Sequence, residues 1–214
     1  MINNSQCVIV LHGIIMGNFH TMLLARAIKK RGFKVFNIYY PSAKYDFAGL
    51  TDFIFDQHLQ KHDLENTYEK VHFVGYSMGG LLCRTILNKY RINNVGNVIQ
   101  IGTPNKGSEM ADFLQDYWLY SKLFSETGRQ LSISHNDDLQ VLMGEVYYDI
   151  YGIAGDLCLD PITRKIFAHQ PNDGKVSVAS TQIAQLKQHF TFKVPHSFMP
   201  YSSQVRDKVL EILT

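Results

Sequence analysis

Ser77 stands between two glycines in Gly75-Tyr-Ser77-Met-Gly79, directly after the apolar run Val71–Gly75. A serine hydroxyl in that setting is a nucleophile for acyl transfer. The spacing lets a strand turn abruptly into a helix, so that the hydroxyl projects from a strained turn. Small residues on either side are required because the two backbones meet closely there. With glycine and serine each near 7% of residues, these three positions match by chance about 0.07 times in a chain of this length. The apolar run before the motif and the helical pattern after it add weight. A glycine-rich structural turn is the competing reading.

Such a serine needs a base, an acid to orient the base, and donors for an oxyanion. Nine histidines are available. In a strand–turn–helix architecture of this kind the chain order is serine, acid, histidine, with the histidine after the last strand. His196, in Val194-Pro-His196-Ser-Phe198, has that position. His189 is expected at the opposite end of the same strand, in solvent. His58 and His62 are four apart, but Leu59 stands where a zinc-protease motif needs Glu, so no metal site is expected. His12, in Leu11-His12-Gly13-Ile14, reads as a loop-shaping hydrogen bonder. The backbone N–H groups of Ile14 and Met78 are the expected oxyanion donors. Two aspartates compete for the acid. Asp156 follows the fifth apolar run, whereas Asp173, in Asn172-Asp-Gly-Lys-Val176, can be aimed by an Asx turn. Geometry alone leaves them even.

The elements that must position these residues are short. Runs rich in Val, Ile, Phe and Tyr cover Cys7–Leu11, Lys34–Tyr39, Val71–Gly75, Asn97–Ile101, Asp149–Ala154 and Phe190–Val194. Several lack polar alternation, which marks strands covered on both faces, as in a parallel sheet. Helical patterns cover Thr21–Arg31, Ala48–Leu59, Met78–Tyr90 and Ser203–Leu213. The expected fold is therefore α/β: about six mostly parallel strands flanked by helices. Residues 103–146 break the rhythm and read as a helical cap or lid. Its Phe113, Tyr117, Trp118 and Phe124, with Tyr76, are expected to line the substrate site or to touch a lipid surface transiently.

Composition sets the outer limits. The chain has 214 residues, 45% of them hydrophobic, and a net charge of +2. One domain, 1–214, with the cap inside it, accounts for that length. The weak charge and the absence of a basic patch argue against nucleic acid as a partner. Cys7, Cys83 and Cys158 are too far apart for a disulfide framework or a CxxC metal site. The N-terminus has no basic segment and only a five-residue apolar run, so a cytoplasmic location is expected. Gly102-Thr-Pro-Asn-Lys-Gly107-Ser108 has the two glycines of a phosphate loop. It lacks the lysine after the second one, so nucleotide binding is not expected.

Together, Leu11-His-Gly13, Gly75-Tyr-Ser-Met-Gly-Gly80, Ile101-Gly-Thr-Pro-Asn-Lys-Gly-Ser108, Asn172-Asp-Gly-Lys-Val176 and the late His196 resemble bacterial lipases of the α/β-hydrolase fold. The resemblance implies a serine carboxylic-ester hydrolase without a cofactor, acting on a small-molecule or lipid acyl ester. Thioesterase or amidase chemistry is the alternative, and a non-catalytic binding protein a more distant one. It implies Asp173 as the acid, since the Asn-Asp-Gly-x-Val segment carries the triad aspartate in such lipases, and one helix and one strand between acid and base. The chain departs from the pattern twice. Tyr76 stands where these lipases commonly have His, and Phe198 stands where some relatives place a calcium-binding aspartate. No metal is expected.

Overall fold

The computed structural model describes residues 5–14, 16–107 and 136–214. The six apolar runs form strands β1 (Gln6–Leu11), β2 (Lys34–Ile38), β3 (Lys70–Tyr76), β4 (Val95–Ile101), β5 (Ile150–Gly155) and β6 (Gln188–Phe192). They make one sheet in the order β2-β1-β3-β4-β5-β6, with every neighbouring pair parallel. The helices are α1 (Met22–Lys30), α2 (Phe47–Ile54), α3 (Leu64–Thr67), α4 (Met78–Tyr90), α5 (Asn136–Met143), α6 (Pro161–Ile166) and α7 (Ser203–Leu213).

Side chains alternate across each strand, so burial on both faces needs apolar residues at successive positions. In β1, Cys7, Ile9 and Leu11 pack into one layer with Leu50 and Ile54 of α2 and Leu82 and Ile86 of α4. Val8 and Val10 point the other way, against Leu24 and Ile28 of α1 and Val205 and Val209 of α7. Each such aliphatic side chain contributes roughly 1.5–3 kcal/mol by leaving water. The result is a sheet fixed from both sides, whose C-terminal strand ends carry the loops of interest.

Three local expectations are corrected. The segment read as one helix over 48–59 is α-helical only to Ile54 and then widens into a π-helical turn, Phe55–Leu59. The last strand ends at Phe192, where the Val194 N–H turns back to the Phe192 carbonyl at 2.8 Å. Between Asp173 and β6 there are turns and no helix. There Ser177 Oγ accepts from the Ser180 N–H at 3.1 Å, and Thr181 Oγ1 donates to the Val178 carbonyl at 2.7 Å. Hydroxyl side chains that bond their own backbone in this way compete with helix. Of the cap segment, Phe113, Tyr117, Trp118 and Phe124 lie outside the described residues. Among the described residues no helix is long and apolar enough to cross a membrane.

Two buried imidazoles make the fold sensitive to acid. Burial pushes both His12 and His72 down to about 4, from an ordinary 6.5. His72 Nδ1 accepts from the Asn97 N–H at 2.9 Å, leaving Nε2–H to donate to Gln6 Oε1 at 3.0 Å. A proton added at Nδ1 destroys the first bond. Since the folded value lies below the unfolded one, the unfolded chain binds more protons between about pH 6.5 and pH 4. Stability is complete above that window and falls through it, by on the order of 3 kcal/mol for each histidine. Urea unfolding at pH 7 and pH 4.5 should show the loss. His72→Asn, which keeps an acceptor in place of Nδ1, should shrink the difference between the two pH values by about 2 kcal/mol. An undiminished difference would refute this account.

Candidate active site

The turn from β3 into α4 is made by one residue. Ser77 has φ 54° and ψ −124°, and Met78 begins the helix. Positive φ is costly for a side chain with a Cβ, about 1–3 kcal/mol, so the surroundings must impose it. The Ser77 N–H donates to the Ile101 carbonyl at 2.7 Å, and its own carbonyl accepts from the Gly80 N–H and from Thr103 Oγ1, both at 3.0 Å. The glycines give the space. A Cβ on Gly75 would lie 2.4 Å from Gly80 Cα, and one on Gly79 would lie 2.4 Å from the Leu11 carbonyl oxygen.

His196 and Asp173 reach Ser77 from the loops after β6 and β5. His196 Nε2 is 3.0 Å from Ser77 Oγ, and His196 Nδ1 is 2.7 Å from Asp173 Oδ2. Both the histidine and the aspartate are buried. Asp173 Oδ1 accepts from the N–H groups of Lys175 at 2.9 Å and Val176 at 2.8 Å, so each carboxylate oxygen has a donor. The Asn172 side chain builds the turn by accepting from the Gly174 N–H at 2.9 Å. Backbone also joins the pair, the His196 N–H donating to the Asp173 carbonyl at 2.9 Å. Asp156 is engaged elsewhere, in an ion pair with the exposed Lys193.

The candidate oxyanion donors are set by their peptide planes. Met78 is the first residue of α4, where the N–H has no partner within the helix. His12 Nδ1 donates to the Gly13 carbonyl at 2.7 Å, while its Nε2 receives the Tyr40 N–H at 3.4 Å. In a trans peptide the carbonyl and the next N–H point in opposite directions. Holding the Gly13 carbonyl toward His12 therefore turns the Ile14 N–H away from it. Gly13 also lies against Ser77, since a Cβ there would sit 3.2 Å from Ser77 Cβ. His12 has the loop-shaping role expected of it in these contacts.

Tyr76 is buried, and its hydroxyl donates to the His196 carbonyl at 3.0 Å. It braces the histidine from beneath. Sequence reasoning did not single out His20, yet its ring centroid lies 5.2 Å from that of Tyr76, and its Nδ1 is 2.9 Å from the Tyr201 hydroxyl. Burial, with the neighbouring His196 and Lys175, holds the His20 imidazole below its ordinary range. No periodicity or motif marks His20, so only the folded loop reveals it. His189, expected in solvent, is half-buried and meets Thr181 Oγ1 at 2.8 Å. Among the described residues no group of three His, Cys, Asp or Glu side chains is arranged to hold a metal ion. The Thr103–Gly107 turn has no free cradle for phosphate. The N–H groups of Asn105, Lys106 and Gly107 donate to the carbonyls of Thr103, Ser180 and Pro104.

Known proteins share this fold to differing extents. The lipase BlEst2 of Bacillus licheniformis in its mature form superposes with a TM-score of 0.79 at 19% identity, over 97% of this chain and 91% of that one. The phospholipase PlaB of Legionella pneumophila gives a TM-score of 0.73 at 13% identity, over 99% of this chain and 60% of that one. At such identities the likeness is one of fold, the α/β-hydrolase fold. In sequence, a triacylglycerol lipase of Pseudarthrobacter phenanthrenivorans is 35% identical over 83 residues, which are 34% of this chain and 26% of that protein. The lysosomal thioesterase PPT2 of Mus musculus is 33% identical over 92 residues, 36% of this chain and 30% of that protein. These alignments thus span less than a third of either relative. The family model for palmitoyl protein thioesterase matches residues 7–152, from β1 into β5, including Ile14, Ser77 and Met78. That is more than half of the sequence, and the chain belongs to the palmitoyl protein thioesterase family of α/β-hydrolases.

Proposed function

We propose that this chain is a serine hydrolase that cleaves an acyl ester through an acyl-enzyme, with Ser77, His196 and Asp173 as its triad. The hydrogen-bonded series from Ser77 Oγ through His196 to Asp173, at 3.0 and 2.7 Å, carries the reading. His196 Nε2 takes the serine proton as Oγ attacks the carbonyl carbon, and then gives it to the leaving alcohol. Asp173 keeps the proton on Nδ1, which leaves Nε2 free as a base, and stabilises the imidazolium formed. The Ile14 and Met78 N–H groups receive the oxyanion. Water, activated by the same imidazole, releases the acid.

A thioester is the second reading, favoured by the family match and by the likeness to a thioesterase. The same attack applies, and a thiolate leaves with less need of a proton than an alkoxide. An amine leaves only once protonated, so an amide is the hardest of the three. With one decanoyl chain presented as ester, thioester and anilide, ester and thioester are expected within about tenfold of each other in kcat/KM, and the anilide at least a hundredfold lower. Anilide turnover equal to that of the ester would point to an amidase.

A fluorophosphonate probe should label the protein stoichiometrically, and Ser77→Ala should abolish labelling and lower kcat on the order of 10^5-fold or more. Labelling that persists in Ser77→Ala would remove the nucleophile from this reading.

The acid is tested by charge removal at constant shape. Asp173→Asn should cost about 10^4 in kcat, because the amide favours the wrong imidazole tautomer. Asp156→Asn breaks only a largely exposed ion pair with Lys193 and should change kcat by about twofold at most. The reverse order of losses would transfer the role to Asp156.

A further inference from the structure

His196 opens a short 3₁₀ turn, His196–Tyr201, that has little to hold it by itself. Such turns make poorly aligned hydrogen bonds, and Pro200 inside this one lacks an N–H. The position of the turn therefore depends on anchors outside it. At its first residue, the His196 N–H donates to the Asp173 carbonyl at 2.9 Å, and the His196 carbonyl accepts from the Tyr76 hydroxyl at 3.0 Å. At its last residue, the Tyr201 hydroxyl meets His20 Nδ1 at 2.9 Å.

His20 is a fixed post. It lies between Asn18 and Thr21 in the loop that joins β1 to α1, and both of these are bonded to Asn37 of β2. Thr21 Oγ1 donates to Asn37 Oδ1 at 2.8 Å, and the Asn37 amide donates to the Asn18 carbonyl at 2.8 Å. The His20 ring is buried, with its centroid 5.2 Å from that of Tyr76 and 4.9 Å from that of Tyr201. The Tyr76 ring in turn lies 5.2 Å from that of His196, and a Cβ on Gly13 would come within 3.2 Å of its edge. One tyrosine ring thus touches the turn of His196, the start of the loop after β1 and, through His20, the end of that loop.

The imidazole at position 20 needs a reason. Its Nε2 is buried and finds no hydrogen-bond partner among the described residues. A buried polar atom left unpaired costs about 1–3 kcal/mol, a penalty that a phenyl ring of similar shape would avoid. What the imidazole supplies is Nδ1. Burial, with His196 and Lys175 nearby, holds the ring below its ordinary range, and the neutral ring accepts the Tyr201 proton at Nδ1. We propose that His20 is a positioning residue for acyl transfer: its bond to Tyr201 locks the turn that carries His196 to the loop that carries Ile14. Base and oxyanion donor then keep one spacing about Ser77, where a misplacement of about 1 Å costs on the order of a hundredfold in rate. The consequence for rate rests on the hydrolase reading given above, whereas the lock itself does not.

Three variants separate this bond from packing. Tyr201→Phe and His20→Phe each delete one partner, and His20→Asn keeps an amide where Nδ1 stands. With a p-nitrophenyl ester, each deletion should lower kcat about tenfold with KM within about twofold, and the double variant should lose no more than either. His20→Asn should stay within about threefold of the unmodified kcat. Thermal unfolding of His20→Phe should come no earlier than that of the unmodified protein, since no unpaired Nε2 remains. The His196 Nδ1 proton, shared with Asp173, reports the lock without turnover as a low-field proton resonance. Its exchange with solvent should quicken about fivefold in both deletions and stay near the unmodified rate in His20→Asn. Multiplied losses in the double variant, a risen KM with kcat unchanged, losses in kcat that track losses in Tm, or exchange indifferent to both deletions overturns the assignment. An unmodified protein that cleaves no ester overturns the hydrolase reading instead, and the exchange measurement still decides the lock.

Discussion

One residue carries the chain from the central strand into the helix behind it, and the active-site end of the molecule is organised around that reversal. Ser77 keeps its positive φ because its N–H and carbonyl are held by three different partners, Ile101, Gly80 and Thr103. Each partner belongs to an element whose own position is thereby constrained. The Gly75–Gly80 approach sets how closely α4 can lie on β3. The Gly79 contact with Leu11 draws the loop after β1 over the helix N-terminus. Strain of a few kcal/mol at one residue persists because the packing on both faces of the sheet over-determines it. The turn at Ser77, the N-terminus of α4 and the path of the loop after β1 are thus fixed together by these contacts.

Charge is managed around the reversal by pairing one imidazole and keeping the others neutral. A buried carboxylate such as Asp173 is tolerated only when donors replace the lost water, and two backbone N–H groups and His196 do so. The same burial that disfavours a charged His12 acts on His20, close beside His196. A neutral His20 places no second positive ring beside His196. Tyr201 and Tyr76 hold the two rings in place without adding charge.

The sheet and the serine turn were legible because their signals are local. Uninterrupted apolar runs mark strands covered twice, and glycines around a serine mark a backbone crossing. The choice of Asp173 over Asp156 as candidate acid came only through resemblance. Asp156 and Asp173 both follow β5 in turn-forming contexts, and what separates them is where Lys193 and His196 stand in three dimensions. The helix expected before β6 failed because Ser177 and Thr181 spend their hydroxyls on turns. Tyr76 looked like a pocket residue from its place beside the nucleophile. In the structure it is buried, and its hydroxyl donates to the His196 carbonyl. His20 carried no pattern, since loops meet by tertiary packing alone.

A buried polar network joins the described residues on either side of 108–135 next to so constrained a turn. Asn105 donates to Gln100 Oε1 at 2.7 Å and to the Thr181 carbonyl at 3.0 Å, and accepts from Arg84 at 3.0 Å. Gln100 donates in turn to the Gly80 carbonyl at 2.9 Å, one turn into the helix that Ser77 begins. Beyond residues 108–135, Gln140 of α5 reaches the Asn105 carbonyl at 2.6 Å. The two roots between which residues 108–135 run are therefore tied to each other and to α4. Buried amide networks of this kind are costly when any member is unpaired, so the arrangement resists small displacements. The carbonyl of Gly80, just past Ser77, is thereby held by Gln100, and Gln100 by Asn105.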